Sequence, residues 1–324
     1  MPTGLNDVIV PEVLGEMVAA EIPQRAKILR SGIASFDYGN VDIKEGGNFF
    51  SVPYWDELTG EDEVIDGVNQ ISVGKITTSK DLGVVLHRGK AWGVDDLAKF
   101  VGKGDPNKEI GRQVGIYWAK RFDSLFIQNL VAIVNRSAGA LKDSHVLDVA
   151  VTTGTKVELT VNSVVDALLK LGDSLESLTG IAMHSVTFGT LYKAKLIDYV
   201  QTSNADVDLG HVRIPTFLGR EVIIDDTLPV DNSVADYPIY TTFLFGRGAG
   251  YVGYQRALMT EKDRDILAFN DILSTSVHFG VHLKLVKWNT TTVNPANTDL
   301  QNPANWLKVA KDDKMIKFVA VHHN

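Results

Sequence analysis

The apolar residues of this chain change their spacing several times, and each change predicts a different element. After Asp105 they recur every three or four positions, which is the spacing of one helical face. Asp105 suits a helix cap and Pro106 the first helical position. One helix is therefore predicted over 105–135, roughly 45 Å long, which suits a spine. The residues predicted for its buried face are Ile110, Val114, Trp118, Phe122, Leu125, Phe126, Leu130 and Ile133.

Two strand-like stretches before this helix surround an acidic tip. NFFSVPYW and QISVGKITTSKDLGVVLHRGKAW lie on either side of DELTGEDEVIDG. Two strand patterns around a polar, glycine-marked tip predict a long hairpin over 46–90. Because a lone hairpin is marginally stable in water, we expect it to lie on another subunit. Residues 1–45 show one short helical pattern near Pro11 and no core pattern, so we expect an arm that needs a partner surface.

Strand and helix patterns alternate after the spine, which predicts an α/β domain over about 150–250. Thr160 or Asn162 is expected to cap a second helix. A strand over 181–184 leads into a further helix, and IPTFLGREVIID, residues 214–225, is predicted as one strand. YPIYTTFLFG is predicted as another. The apolar residues predicted for the second helix are Val164, Leu168, Leu171, Leu175 and Leu178.

The stretch STSVHFGVHLKLVKW alternates with period two and predicts one long, half-buried strand over 275–288. The residues on its apolar face are Val277, Phe279, Val281, Leu283 and Leu285. The segment that follows, 290–324, is polar. His322 and His323 are expected to lie in a mobile tail.

Composition narrows the class of protein. The chain has 324 residues, of which 44% are hydrophobic and 22% charged, as in folded globular proteins. No apolar run approaches the roughly 18 residues that span a bilayer, and no signal peptide pattern is present. The absence of cysteine excludes disulfides and Cys-ligated zinc. The net charge of −8 argues against a dedicated DNA-binding protein, because binding to phosphates needs a basic surface.

Two motifs invite a chemical interpretation. Asp225 and Asp226 follow the apolar run Val222, Ile223 and Ile224, and they precede a turn. An acid/base pair needs further convergent groups, whereas Asp before a turn commonly accepts hydrogen bonds from its own backbone; we expect a turn. GRGAG at 246–250 is followed by YVGYQ, which is typical of a strand and not of the helix that a phosphate loop requires.

Two further groups contain possible ligands. His278 and His282 lie four residues, or about 13 Å, apart along a strand. Ligands of one zinc ion must lie closer, so we expect two histidines on the polar face. TEKDRD at 260–265 interleaves three acids with two bases, which predicts ion pairs that fix register at an oligomer interface and not a cation site. No self-consistent active site emerges, and no cofactor is expected.

The order of several motifs resembles the major capsid proteins of tailed phages of the Hong Kong 97 type. GREVIIDDTLP at 219–229, YTTFLFGRGAG at 240–250 and TEKDRDILAFNDILSTSVHFGVH at 260–282 look like the C-terminal half of that family. IAMHSVTFGTLYK at 181–193 looks like its axial strand–helix segment, and SGI at 31–33 precedes the extended loop. The resemblance covers residues 10–290. The tail beyond Trp288 is longer than the minimal fold of that family requires, so surface decoration is expected there.

The resemblance implies an α+β capsid fold. Its expected parts are the N-terminal arm over 1–45, the extended β-hairpin loop over 46–90, a peripheral domain over 91–149 and 255–289, an axial α/β domain over 150–254, and a C-terminal extension over 290–324. It implies a structural, non-enzymatic subunit of the virion, made in the cytoplasm of the bacterial host. Pentamers and hexamers would close an icosahedral shell around double-stranded DNA without specific binding.

The resemblance also implies partners and contacts. A separate scaffolding protein is expected because the sequence begins almost at the arm, and portal and decoration proteins are further partners; no membrane is involved. The acidic tip is expected to dock on basic residues of a neighbour, and Lys75 and Lys80 lie on the hairpin, although no motif supports a Lys–Asn cross-link. The residues predicted for inter-subunit contacts are Glu61, Asp62, Glu63, Lys75, Lys80, Arg112, Glu261, Asp263 and Arg264.

Two alternatives stay open from the sequence. The first is an encapsulin-like compartment, which has the same fold and a protein cargo. The second is a metal-dependent hydrolase that uses Asp225, Asp226 and the acids of TEKDRD.

Overall fold

The computed structural model describes residues 31–36, 47–55, 58, 60–65, 73–74, 76, 78–95, 106–201, 213–265 and 270–324. The predicted helix near Pro11, the Asp105 cap and Lys75 lie outside these ranges.

The described strands and α-helices follow one another along the chain in a mixed order. They are β1 (Ala34–Phe36), β2 (Phe49–Trp55), β3 (Thr78–Asp95), α1 (Pro106–Ile133), α2 (Lys142–His145), β4 (Val146–Asp148), α3 (Val161–Leu169), β5 (Gly180–Met183), α4 (Ser185–Lys193), β6 (Asp198–Gln201), β7 (Arg213–Phe217), β8 (Arg220–Ile224), β9 (Val230–Asp231), β10 (Ile239–Phe245), β11 (Gly250–Asp265), β12 (Asn270–Leu283), β13 (Val286–Trp288), α5 (Asn297–Leu300), β14 (Trp306–Lys308) and β15 (Phe318–His323).

Helix α1 confirms the predicted spine and spans 28 residues, about 42 Å at 1.5 Å per residue. It packs on β12, where the ring centroids of Phe122 and Phe279 lie 4.4 Å apart, edge to face. Two polar groups of the helix, the Trp118 indole N–H and the Asn129 side-chain amide, donate to Thr275 Oγ1 and to the Val281 carbonyl at 3.1 and 3.0 Å. The helix is therefore fixed to the sheet by both apolar and polar contacts. Its buried residues include Val114, Trp118, Phe122, Leu125, Phe126, Leu130 and Ile133, all predicted for that face.

Beneath the helix lies a five-stranded sheet in the order β1-β11-β12-β3-β2. The predicted hairpin is present as β2 and β3, which pair antiparallel from Phe49↔Val84 to Trp55↔Thr78. It is not a lone hairpin, because β3 continues along β12 from Val85↔Gly280 to Asp95↔Asn270. The root of the hairpin thus belongs to the sheet of its own subunit.

The second sheet has eight strands, in the order β4-β15-β10-β5-β8-β7-β6 with β9 beside β10. Helix α3 packs against β15, with Val164 and Leu168 buried in the same apolar cluster as Val319 and Val321. Thr160 is the cap of α3, and its hydroxyl accepts from the Ser163 N–H at 3.2 Å. The helix predicted from Val164 to Leu178 ends at Leu169 and gives way to a 3₁₀ turn over Gly172–Ser177.

The C-terminal segment is a correction to the sequence-based prediction of surface decoration. β15 pairs antiparallel with β10 and parallel with β4, and every residue of it is buried. A central strand needs partners on both sides and apolar cover on both faces. Residues 318–323 therefore form an internal strand of the second sheet, between β4 and β10.

Two predicted strands are interrupted. The stretch 214–225 is a hairpin, since Leu218 and Gly219 have φ values of 51° and 75° and form the two-residue turn between β7 and β8. The stretch 275–288 breaks between β12 and β13, where Leu285 has a φ of 68°. The apolar alternation along 277–285 is nevertheless buried as predicted.

Candidate functional site

The aspartate pair lies in a turn at the end of β8 and not in an acid/base site. Asp225 is buried, and its Oδ1 accepts from the backbone N–H and the hydroxyl of Thr227 at 2.9 and 2.8 Å. Asp226 Oδ1 accepts from the Ser185 N–H at 3.1 Å, at the start of α4. One carboxylate closes a turn and the other binds a helix terminus, where His184 Nε2 also lies 3.7 Å from Asp226 Oδ1. The turn predicted for this pair is confirmed.

The glycine loop GRGAG is a tight connection between β10 and β11. Its backbone N–H groups donate to carbonyls: Gly246 to Lys317 at 2.9 Å, Gly248 to Gly32 at 2.8 Å, and Gly250 to Ile33 at 2.7 Å. A phosphate loop needs such groups free to bind its ligand. The loop instead joins the start of the described chain to its C-terminal segment.

The two histidines of β12 have different surroundings. His278 is half-buried and stacks on His87 of β3, with ring centroids 4.0 Å apart, and its pKa is lowered by burial first and by the neighbouring His87 and Arg256 next. His282 is 1% exposed, so its predicted place on a polar face is wrong. The face of β12 that carries His282 is also covered at that level, because Phe50 and Trp306 lie against the His282 ring at centroid distances of 5.9 and 6.2 Å.

Asp81 is the partner that makes a buried His282 possible. The His282 Nε2–H donates to Asp81 Oδ1 at 2.8 Å, and the Leu285 N–H donates to Asp81 Oδ2 at 2.6 Å. The carboxylate is 1% exposed. Asp81 therefore joins the hairpin strand β3 to the end of β12. It also joins β3 to Leu285, the residue with a left-handed backbone that lies just before β13. No local pattern indicates this pairing, since the two residues lie 201 positions apart.

Close packing holds the same root of the hairpin. The ring of Phe50 lies over Gly83 and Gly280, where an added Cβ would lie 2.1 and 2.3 Å from a ring carbon. Only glycine leaves room for the ring at these two positions. The polar and apolar contacts together fix the direction in which the hairpin leaves the sheet.

His322 and His323 are buried in β15, so the predicted mobile tail is wrong. His322 Nδ1 lies 2.9 Å from Thr241 Oγ1, and its Nε2 lies 2.9 Å from the Val134 carbonyl. His323 Nε2 lies 3.0 Å from Thr242 Oγ1. Burial lowers the pKa of both rings, that of His323 to about 4. Both are therefore neutral near pH 7.

The predicted contact residues occupy several separate surfaces. Glu61, Asp62 and Glu63 are exposed at the hairpin tip, and Lys80 is exposed on β3. Arg112 is half-buried on α1. The residues of TEKDRD form the far end of β11, where Glu261 and Asp263 are exposed and Arg264 pairs in register with Asp271 of β12. Within one subunit, these described residues lie on three different parts of the fold: the hairpin, helix α1 and the end of β11.

Large apolar side chains are exposed at the end of the paired part of the hairpin and beyond it. Val64 is 90% exposed, Ile65 79% and Trp55 69%. A run of exposed apolar residues on a projecting element is typical of a surface that a partner covers. The sequence-based prediction singled out the acids of this tip and missed the apolar residues beside them.

The remaining candidates for chemistry are few. Within the described ranges, no group of three or more His, Asp or Glu side chains is arranged to hold a metal ion. Among the helices that the structure describes, none is both long and apolar enough to cross a bilayer.

A cleft of about 410 Å³ contains Arg136, Asp148 and His322, but Arg136 Nε donates to Asp148 at 2.6 Å and both nitrogens of His322 have partners. These groups hold the eight-stranded sheet to the end of α1 and to the segment that follows it.

A family model described as Gp13-like, major capsid protein 13-like, matches residues 44–319 of the chain. The major capsid protein of Bacillus phage SPP1 is 34% identical over 328 residues, which covers 99% of this chain and 98% of that protein.

Solved structures with the same fold include two phage capsids. The capsid of Ralstonia phage GP4 matches with a TM-score of 0.59 at 11% identity, over 90% of this chain and 87% of that one. The capsid asymmetric unit of cyanophage Pam1 matches with a TM-score of 0.56 at 14% identity, over 92% of each chain. At these identities the likeness is one of fold.

Proposed function

This chain belongs to the Gp13-like family of major capsid proteins, and from that premise we propose how its subunits build a shell. It is the major capsid protein of a tailed phage and forms the head shell. The single observation that carries this conclusion is the match to the SPP1 major capsid protein along 99% of the chain. The predicted α+β fold of the Hong Kong 97 type is confirmed by the capsid structures that share it. No comparison supports the encapsulin-like compartment or the hydrolase.

The parts of the subunit take different roles in the proposed shell. Residues 1–45 and the hairpin of 46–90 extend over neighbours, while 91–149 and 255–289 form the peripheral domain around the spine. Residues 150–254 form the axial domain, which gathers around five-fold and six-fold axes. The C-terminal strand β15 adds to this axial domain from within the extension 290–324, because it pairs with β10.

The hairpin is the main contact between neighbours in this proposal. Its root is rigid, since the Asp81–His282 hydrogen bond and the Phe50 ring hold it to the sheet. Its tip carries the exposed acids Glu61, Asp62 and Glu63 next to exposed apolar side chains. A rigid root directs the tip to one place on a partner, as preorganised interfaces do. Lys80, Lys75 and Arg112 are further proposed contacts.

The far ends of β11 and β12 are a second proposed contact. Glu261, Asp263 and Arg264 lie there, at the end of the long antiparallel pair. Alternating charges at such a rim set register and partner choice more than affinity.

The proposed partners follow from the role of a head shell. Pentamers and hexamers of this chain assemble with a separate scaffolding protein and a portal, and decoration proteins bind the outside. The shell encloses double-stranded DNA without specific binding, which fits a net charge of −8. The subunit is made in the host cytoplasm, resides in the virion, binds no membrane and has no enzymatic activity.

Negative-stain electron microscopy of the purified protein tests the proposal. The chain is expressed alone and together with candidate scaffolding proteins from the same phage. Closed shells, or rings of five and six subunits, are the expected result. Monomers under all these conditions would contradict self-assembly, and shells that contain a protein cargo in place of DNA during infection would favour the compartment.

A further inference from the structure

A second cleft lies at the root of the hairpin and is lined by three cations. Its volume is about 330 Å³, and its walls come from β2, the GRGAG turn, the end of β12 and residues 315–317. Arg247, Lys284 and Lys317 lie along it. Its apolar lining includes Val52, Leu285 and Ile316. A cleft that combines three positive charges with apolar walls is suited to an acidic segment that also carries apolar side chains.

The three cations differ from other bases near them. Lys314 forms an ion pair with Asp173 at 2.8 Å, and Lys308 pairs with Asp313. In the part of the chain that the structure describes, no carboxylate forms an ion pair with Arg247, Lys284 or Lys317. Asp81 also lines the cleft, but its two oxygens accept from His282 and Leu285. Like charges placed side by side repel one another, and an anionic partner relieves that repulsion.

The hairpin tip has the complementary composition. Glu61, Asp62 and Glu63 supply three acids, and Val64 and Ile65 follow them directly. All five are exposed. Glu61, Asp62, Val64 and Ile65 lie beyond the last strand pair, Trp55↔Thr78, and they are not among the residues that line the cleft of the same chain. Among the described residues, the cleft of one subunit is therefore not filled by its own hairpin tip.

We propose that the cleft of Arg247, Lys284 and Lys317 receives the hairpin tip of a second copy of this chain. The acids of the incoming tip face the three cations, and Val64 and Ile65 cover the apolar wall. This proposal rests on the proposed shell function and names the surface that receives the hairpin. Because each subunit has one tip and one cleft at opposite ends of the hairpin, the contact is head-to-tail, which is the type that generates rings.

In this contact the GRGAG turn has a structural role, because it supplies part of the wall of the cleft. The turn places Arg247 at the mouth of the cleft, while its N–H groups hold the surrounding chain. The alternative receiver is the basic face of the spine helix, where Lys120 is exposed. The two surfaces can be told apart by experiment, because Lys317 of the cleft and Lys120 of the spine helix lie on different elements.

Disulfide trapping distinguishes the cleft from the spine helix as the site that receives the tip. Because the chain has no native cysteine, only the introduced cysteines can form disulfides. One preparation carries Asp62→Cys and a second carries Lys317→Cys. They are mixed before assembly, assembled into shells or rings, and oxidised. The expected result is a covalent dimer in the assembled fraction and its loss in unassembled subunits. The matched control mixes Asp62→Cys with Lys120→Cys, and no dimer is expected.

Charge exchange provides the second measurement. Glu61→Lys, Asp62→Lys and Glu63→Lys in one chain should abolish closed shells, as should Arg247→Glu, Lys284→Glu and Lys317→Glu in another. The chain that carries all six changes should recover shells. Circular dichroism of each variant checks that the subunit is folded.

The possible outcomes test the proposed shell function and the proposed binding of the tip in the cleft separately. If wild-type subunits form neither shells nor rings, the proposed function fails. If they assemble and the Lys317→Cys mixture gives no dimer, or the Lys120→Cys mixture gives one instead, the assigned cleft is wrong. Normal shells from either folded reversal variant would overturn it as well.

Discussion

The Nε2–H of His282 donates to Oδ1 of Asp81 across 2.8 Å, between two residues that are each 1% exposed. The other oxygen of Asp81 accepts from the N–H of Leu285, whose φ of 68° is unfavourable for a residue with a Cβ. One carboxylate thus holds the hairpin, the central strand β12 and a strained turn. Removing it would leave two buried donors without an acceptor.

Asp81→Ala is expected to lower the free energy of unfolding of the unassembled subunit by about 3 kcal/mol. An unsatisfied buried donor costs about 1–3 kcal/mol, and this change creates two. Urea denaturation followed by circular dichroism measures the loss. Asp62→Ala is the control, since that carboxylate is exposed and its removal should leave the midpoint unchanged. Equal midpoints for both variants would show that the Asp81 bonds contribute nothing to stability.

The C-terminal strand gives a prediction with a closely matched control. Val321 is fully buried between β10 and β4, whereas Val293 is 47% exposed on the segment that leads to it. Val321→Ala should lower the free energy of unfolding by about 2 kcal/mol, from lost burial and an unfilled cavity. Val293→Ala should change it by less than about 0.5 kcal/mol. If both changes are equally small, β15 is not part of the cooperative core.

The exposed apolar residues of the hairpin give a prediction about assembly. Val64→Ser with Ile65→Ser should leave the unfolding of the subunit unchanged, because both side chains face solvent within one chain. Losing about 1.4 kcal/mol of contact per subunit would raise the concentration needed for assembly about tenfold. Sedimentation across a concentration series measures this threshold. An unchanged threshold would mean that no neighbour covers these residues.

The sequence predicted the elements whose pattern is local. The spine helix followed from the spacing of residues such as Trp118 and Phe122, and the strand–helix step at 180–193 followed from an apolar run before a helical one. The turn predicted at Asp225 is also confirmed, because the groups that donate to its carboxylate belong to Thr227, two residues away. Such features depend on neighbours in the chain, which a periodicity shows directly.

The features that were missed depend on residues far apart in the chain. Burial of His282 and His323 came from partners more than 80 positions away, and a polar C-terminal tail gave no sign that β15 completes a sheet. The hairpin turn at Leu218 was missed for another reason. Leucine is a rare first residue for a turn with φ of 51°, where Asn or Asp is usual.

The burial of His323 predicts that the subunit loses stability in acid. Its pKa is about 4 in the folded chain against an ordinary value of 6.5, chiefly because burial disfavours the charged ring. Between these values the unfolded chain binds a proton that the folded chain does not, so stability falls as the pH falls from 6.5 to 4. From pH 7 to pH 4.5 this one ring should account for about 2.5 kcal/mol of lost stability.

His323→Asn removes that titration, so the variant should lose about 2.5 kcal/mol less than wild type between these two pH values. Urea denaturation at both pH values measures the two losses. Val321→Ala is the control, because it weakens the same strand without removing a titrating group and should lose as much as wild type. The acid sensitivity that remains in His323→Asn is assigned in part to His322 and His145, whose pKa values burial also lowers. A variant that follows the wild-type pH profile would show that His323 does not couple protonation to unfolding.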